Sequence, residues 1–214
     1  MACCARYCEA EAHFGPKMAE GDLRLYRRRG VTGITRALLS ELRKWPLQGK
    51  HLLDIGGGIG ILGAELAASG LAGATLVEAS PAYLEAARRE LEPRFAGRPT
   101  EFVLGDFALL ADTLPDRDVV TLDRVVCCYP DFGALLQGAA ARTLSLLAFT
   151  YPRDRWHTRL TIALENFLRR VKGGGFRVFV HKPDLMRARL EAAGLVPAVR
   201  RETFVWALEL YRRS

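Results

Sequence analysis

The residues best placed to do chemistry in this chain lie in Leu52-Leu53-Asp54-Ile55-Gly56-Gly57-Gly58-Ile59-Gly60. An apolar run ends in an acid and then in a glycine-dense turn, which opens into Ile61-Leu62-Gly63-Ala64-Glu65-Leu66. The pattern predicts a buried strand, a tight loop and a helix packed back on that strand. Glycines in such a loop allow positive φ and let a ligand come close to the main chain. A loop of this kind at a helix N-terminus holds a nucleotide-like ligand. Gly58-Ile59-Gly60-Ile61-Leu62-Gly63 also fits the G-x-G-x-x-G dinucleotide pattern, in which the helix end receives a pyrophosphate. A carboxylate two residues before the first glycine works against a diphosphate. Asp54 suits a ligand that brings positive charge to the loop.

Two further acids follow the same rule. Ala74-Thr75-Leu76-Val77-Glu78 is a short apolar strand ending in a carboxylate that can accept both hydroxyls of a ribose, and Glu101-Phe102-Val103-Leu104-Gly105-Asp106-Phe107 is a third strand ending in Gly-Asp-Phe. Ligands in open α/β sheets sit outside the carboxyl ends of the strands, where Asp54, Glu78 and Asp106 all fall. A nicotinamide dinucleotide has no use for the third acid. S-adenosylmethionine (SAM), with its ammonium and sulfonium charges, has a use for the first.

The D-x-G-x-G-x-G spelling of residues 54–60 resembles the first motif of the class I SAM-dependent methyltransferases. That resemblance implies that Gly56, Gly57, Gly58 and Gly60 cradle the cofactor, with Glu78 and Ala79 at its ribose. Asp106 would accept from the adenine amino group and Phe107 pack on the ring. Asp123 and Arg124, after a fourth strand, would lie beside the methionine end, and Tyr26 could close over it. Residues 18–35, with Asp22-Leu23-Arg24-Leu25-Tyr26-Arg27-Arg28-Arg29-Gly30 and then Thr35-Arg36, together with Leu122 to Asp131, Thr150 to Trp156 and Phe176 to His181, resemble a bacterial group of these enzymes without an assigned substrate. More distantly the chain is similar to the magnesium-protoporphyrin O-methyltransferases. Those enzymes carry a histidine before the Tyr-Pro pair, where this chain has Cys128.

Tyr26, Tyr129 and His181 are the candidates for a catalytic role. Arg27, Cys128, Tyr151, Arg153, Trp156 and His157 are further candidates for contact with a methyl acceptor. Oxygen or carboxylate is the favoured acceptor type, because several arginines fall on the predicted pocket side. An NAD-dependent oxidoreductase using the G-x-G-x-x-G loop is one alternative. An RNA- or DNA-modifying methyltransferase is the other, since the formal net charge is +7 and Arg24, Arg27, Arg28 and Arg29 cluster. Aromatic interleaving is thin, however, and a small-molecule partner is preferred over nucleic acid.

The elements that must position these residues can be laid out along 214 residues, half of them hydrophobic. Residues 1–46 are expected to form a helical cap, with helix over 17–46 ending near Trp45-Pro46. Residues 47–214 are expected to form one α/β unit, a Rossmann-like seven-stranded, mostly parallel sheet with an antiparallel terminal strand and helices on both faces. Asp118 to Asp123 predicts the fourth strand and Leu146 to Tyr151 the fifth. Apolar residues at 160, 164, 167, 168 and 171 predict a helix over Arg155 to Val171. Helix over Pro183 to Ala193 and a hairpin of Val196–Arg201 with Phe204–Tyr211 close the chain. No run is apolar and long enough to cross a bilayer. Five cysteines, at 3, 4, 8, 127 and 128, predict reduced thiols and a cytoplasmic location. Cys3, Cys4, Cys8 and His13 match no usual zinc spacing, so no metal is expected. Oligomeric state is not legible.

Overall fold

The computed structural model describes residues 13–214, so the cysteines at 3, 4 and 8 lie outside the described residues. Helices α1 (Pro16–Arg29) and α2 (Gly33–Leu42) precede strand β1 (His51–Ile55), α3 (Ile61–Leu66) and β2 (Gly73–Glu78). Next come α4 (Pro81–Phe95), β3 (Thr100–Leu104), a short α5 (Phe107–Leu110), β4 (Arg117–Leu122), α6 (Phe132–Ala141) and β5 (Thr143–Pro152). Helices α7 (Trp156–Val171) and α8 (Pro183–Ala192) and strands β6 (Leu195–Glu202) and β7 (Trp206–Arg213) complete the chain.

The seven strands form one sheet in the order β3-β2-β1-β4-β5-β7-β6. Strands β1 to β5 pair in parallel, while β7 runs antiparallel to both β5 and β6. Side chains alternate across each strand, and this sorts the core into two layers. Leu53, Ile55, Val120, Leu122, Leu147 and Phe149 face the layer that holds Leu135 and Leu136 of α6 and Leu190 of α8. Leu52, Leu76, Val119, Leu146 and Ala148 face the other, with Leu38 and Leu42 of α2, Leu62 of α3 and Leu91 of α4. A strand covered on both sides must be apolar on both, which is why β2 is buried at every position.

The same alternation aims the site. Asp54 follows Leu52 by two and therefore points into the α2–α4 layer, in register with Thr121 of β4. Ser80 caps α4 by accepting from the Tyr83 amide, with Pro81 next, as the sequence leads one to expect.

One expectation is corrected. Residues 17–46 do not form a single helix. Gly30 takes φ +65° and donates its amide to the Tyr26 carbonyl at 2.7 Å, ending α1 after Arg29. Thr32 is the extended residue at which α2 begins, with no hydrogen bond from its side chain to the helix, and α2 stops at Leu42, before Trp45-Pro46. The apolar spacing runs on through the break although the helices pack in different clusters, α1 through Ala19, Leu23 and Tyr26 against Tyr83 and α2 through Leu38 and Leu42 on the sheet, so periodicity alone cannot show the glycine stop.

Candidate functional site

At the carboxyl ends of β1 and β4 a cavity of about 340 Å³ opens under α1 and the α1–α2 link. Gly56, Gly57 and Gly58 form one wall with Asp54 at its floor, Asp123 and Arg124 form another, and Asp22 and Tyr26 of α1 cover it. Trp206 at the start of β7 reaches the far side.

The loop is shaped for close approach. Gly56 and Gly58 both sit at φ near +60°. A Cβ on Gly57 would lie 2.7 Å from Asp54 Oδ2, whereas one on Gly58 would meet nothing nearer than Tyr83 Cδ1 at 3.7 Å. Gly57 thus keeps the space above the carboxylate open, and Gly58 faces the space a ligand would use.

Asp54 is only 2% exposed. Its Oδ1 accepts from the Thr121 hydroxyl at 2.6 Å, and its Oδ2 is buried with no partner among the described residues. Burial pushes its pKa up to about 7, against the Thr121 bond, and the negative charges of Asp123 and Glu78 add to the rise. A carboxylate so placed is short of one cation or donor.

Glu78 is buried behind the loop. Its Oε2 accepts from the Gly58 amide and its Oε1 from the Ser80 amide, each at 2.9 Å. Burial raises its pKa, while backbone bonds from Ser80, Gly58 and Ala79 oppose the rise. The carboxylate therefore braces the glycine turn from below.

After β4, Asp123 accepts from Thr35 of α2 at 2.5 Å and from Thr150 of β5 at 2.6 Å. Arg124 takes φ +60°, a strained position for a residue with a side chain, and its amide donates to the Thr150 hydroxyl at 2.8 Å. These bonds tie three elements to one corner of the cavity.

Tyr26 lines the cavity from α1, and its hydroxyl donates to Glu65 at 2.9 Å. Burial first, and then Glu65, pushes the phenol up to about 12. Tyr83 likewise donates to Asp22 at 2.6 Å, joining α4 to α1 across the cavity rim.

Of the residues expected at the site, the structure gathers Tyr26, Asp54, Gly56, Gly57, Gly58, Asp123 and Arg124 around one cavity. Gly60 stands behind the wall, where an added Cβ would run into Leu91. Glu78 and Ala79 lie behind it too, and Asp106 caps α5 by accepting from the Ala108 amide at 3.0 Å. The Phe107 ring is 1% exposed in the core, against Gly138 of α6, and is not a free stacking face. Tyr129 donates to Asp106 at 2.6 Å, and burial with that carboxylate drives its pKa far above the ordinary phenol range. The ring nitrogen Nε2 of His181 lies 2.9 Å from the Tyr129 carbonyl and 3.2 Å from that of Val126, and burial lowers its pKa. Neither Tyr129 nor His181 reaches the cavity wall, because the carbonyls and Asp106 hold their polar atoms elsewhere.

The other acceptor candidates scatter. Arg27 is bonded to Glu90, Tyr151 donates to buried Glu209 at 2.7 Å, and Trp156 is solvent-exposed on α7. Arg153 lines a separate cavity of about 280 Å³ on the opposite layer. Tyr83, Asp22 and Thr35 were not singled out by spacing. Asp22 and Thr35 both lie in the N-terminal segment that carries the resemblance, and Tyr83 carries no signal beyond its place in the first turn of α4. Among the described residues no group of three histidines, cysteines or acids is placed to hold a metal ion.

The fold has close counterparts among solved structures. Magnesium protoporphyrin IX methyltransferase from Synechocystis PCC 6803 with bound S-adenosylhomocysteine (SAH) superposes with a TM-score of 0.72 at 20% identity, covering 95% of this chain and 98% of that one. This is the class I methyltransferase fold. An O-methyltransferase family protein from Burkholderia thailandensis gives 0.71 at 17% identity over 95% of this chain and 62% of that one. Mitomycin 7-O-methyltransferase gives 0.61 at 25% identity over 94% of this chain and 59% of its own length. No family model and no curated sequence matches the chain. In this sheet the order reverses between β1 and β4, so their carboxyl ends form the topological switch point, and the cavity described above lies on it.

Proposed function

We infer that this protein transfers a methyl group from SAM to a small-molecule acceptor, at an oxygen or carboxylate. The observation that carries this reading is the buried Asp54 carboxylate with an unpartnered oxygen, at the floor of an acid-rimmed cavity on the strand ends. A diphosphate would meet Asp54 and Asp123 as like charges. An ammonium would relieve them. The structural neighbours support the choice, since two are magnesium protoporphyrin IX methyltransferase bound to SAH and to SAM.

In this reading Asp54 and Asp123 hold the amino-acid end, the backbone of Gly56 to Gly58 lines the middle, and Glu78 supports the ribose side from behind by fixing the Gly58 and Ser80 amides. Asp106 takes the adenine amino group. SAM supplies a methyl already activated by its sulfonium. The chain's own work is to place the acceptor in line and exclude water, and positioning alone can supply roughly 7–11 kcal/mol. Tyr26, at about 12, keeps its proton at neutral pH and serves as a wall and hydrogen-bond anchor. Among the described residues no histidine lines the cavity, and a carboxylate acceptor needs no general base. Helices α1 and α2, within residues 1–46, act as the cap over the 47–214 unit.

Calorimetry with SAH and with NAD in parallel tests the reading. Binding of SAH without NAD is expected, and NAD binding without SAH would overturn it. Incubation with methyl-labelled SAM and fractionated metabolites, read by mass spectrometry, then identifies the acceptor.

A further inference from the structure

Helix α7 turns its apolar side away from the protein. Trp156, Leu160, Leu164, Phe167, Leu168 and Val171 recur at helical spacing, so they share one stripe, and each is between 49% and 77% exposed. The opposite side is the one held down. Thr158 is its single buried residue, and Asn166 clamps the following segment through both of its side-chain atoms, donating to the Val178 carbonyl at 2.7 Å and accepting from the Val178 amide at 3.0 Å. The stripe is extended at its N-terminal end by Phe204 in the β6–β7 turn, 75% exposed and stacked on His157 at 4.5 Å. An amphipathic helix of this kind normally buries its apolar stripe in the core. Here the layers of the sheet are filled by other helices.

We propose that α7 docks on an anionic lipid surface. Charge chooses this occupant. The stripe is bordered by Arg159 and Arg170 on one side and Lys172 on the other, with Arg155 and Arg177 at its ends, all of them exposed. The one acid within the helix, Glu165, lies just beyond Lys172 on the same flank and is paired with Arg169 at 3.3 Å. Arg159 is paired with Asp154 at 3.0 Å, but Arg155, Arg170, Lys172 and Arg177 have no carboxylate partner among the described residues, and a second copy of the chain would bring these against their own equivalents. A phosphate-bearing bilayer meets them and also takes Trp, Phe and Leu to the depth of its acyl boundary. The 16-residue helix is about 24 Å long, and the stripe runs its whole length from Trp156 to Val171. Its first turn leaves β5 at the same sheet edge as the cavity, and Trp206 of the cavity wall is two residues from Phe204.

Co-sedimentation of the full-length protein with phosphatidylcholine vesicles, with and without phosphatidylglycerol, tests the proposal. Binding to the anionic vesicles, weakened by salt and much poorer on pure phosphatidylcholine, is expected. Leu164→Glu with Phe167→Glu should cut that binding at least about tenfold at an unchanged melting temperature, because neither side chain is packed. Should that variant misfold, Arg170→Glu with Lys172→Glu should lower both the binding and its salt dependence. Failure of the wild type to bind anionic vesicles at low salt would overturn the proposal. So would a vesicle-free dimer, seen by analytical ultracentrifugation, that L164E/F167E dissolves, and so would vesicle binding equal in wild type and both variants.

Discussion

Replacing Asp54 with Asn separates what the site costs from what it does. In the ligand-free protein the Asp54 carboxyl titrates near 7, against an ordinary 3.8. Between those values the folded chain keeps a proton that the unfolded chain has released, so Asp54's contribution to stability falls as pH rises from about 4 to about 7 and is level above that. Some three pH units at 1.36 kcal/mol each set a ceiling of about 4 kcal/mol on the penalty at pH 8. Asn keeps an oxygen for the Thr121 hydroxyl and removes the charge. The ligand-free D54N protein should therefore melt higher than wild type at pH 8, by up to roughly 8–16 °C for a chain of this size, and the gap should close near pH 4. Binding should change in the opposite direction. Loss of a charge-assisted bond to the cofactor's ammonium should weaken SAH by roughly 10- to 150-fold, about 1.5–3 kcal/mol. Wild-type affinity for SAH should itself tighten as pH rises through about 7, as the carboxylate ionises. Melting curves at several pH values and calorimetry with SAH read both effects. Equal melting of the two proteins at pH 8, together with equal SAH affinity, would refute the electrostatic argument.

Glu78→Ala should weaken SAH by roughly 1–3 kcal/mol and also loosen the turn, since the amides of Gly58 and Ser80 lose their acceptor; hydrogen exchange at those two amides should quicken. Gly60→Ala should lower the melting temperature more than Gly58→Ala, because both sit at positive φ but only Gly60 adds a collision with Leu91 and Ala87. Glu209→Leu should cost about 2–4 kcal/mol in chemical denaturation, because the buried hydroxyls of Tyr151 and Tyr211 both donate to that carboxylate, and Glu209→Gln should cost less.

The sequence carries the sheet well, because its central strands are apolar on both faces and each of the first three has an acid within two residues of its carboxyl end. It carries the cavity floor for the same reason, as Asp54 and the glycines are one contiguous signal. What it hides is contact made at long range. Tyr83 meets Asp22 across 61 residues, and Thr35 meets Asp123 across 88, and no local spacing announces either bond. His181 and Tyr129 read as reactive by type, but their neighbours, two carbonyls and Asp106, use them structurally. The break at Gly30 was hidden by a periodicity shared by both helices. The stripe on α7 has a core helix's spacing, and only the packing of the other helices shows that it has no core to enter.

The backbone at Arg124 makes the rim of the cavity a poor target for stabilisation. A glycine there would remove a left-handed strain of about 1 kcal/mol or more, and an unguided search for hardier variants would find it early. The same substitution would strip the guanidinium from the cavity wall. On the proposed reading, in which Arg124 lies beside the methionine end of the cofactor, thermal robustness and ligand capture pull residue 124 in opposite directions.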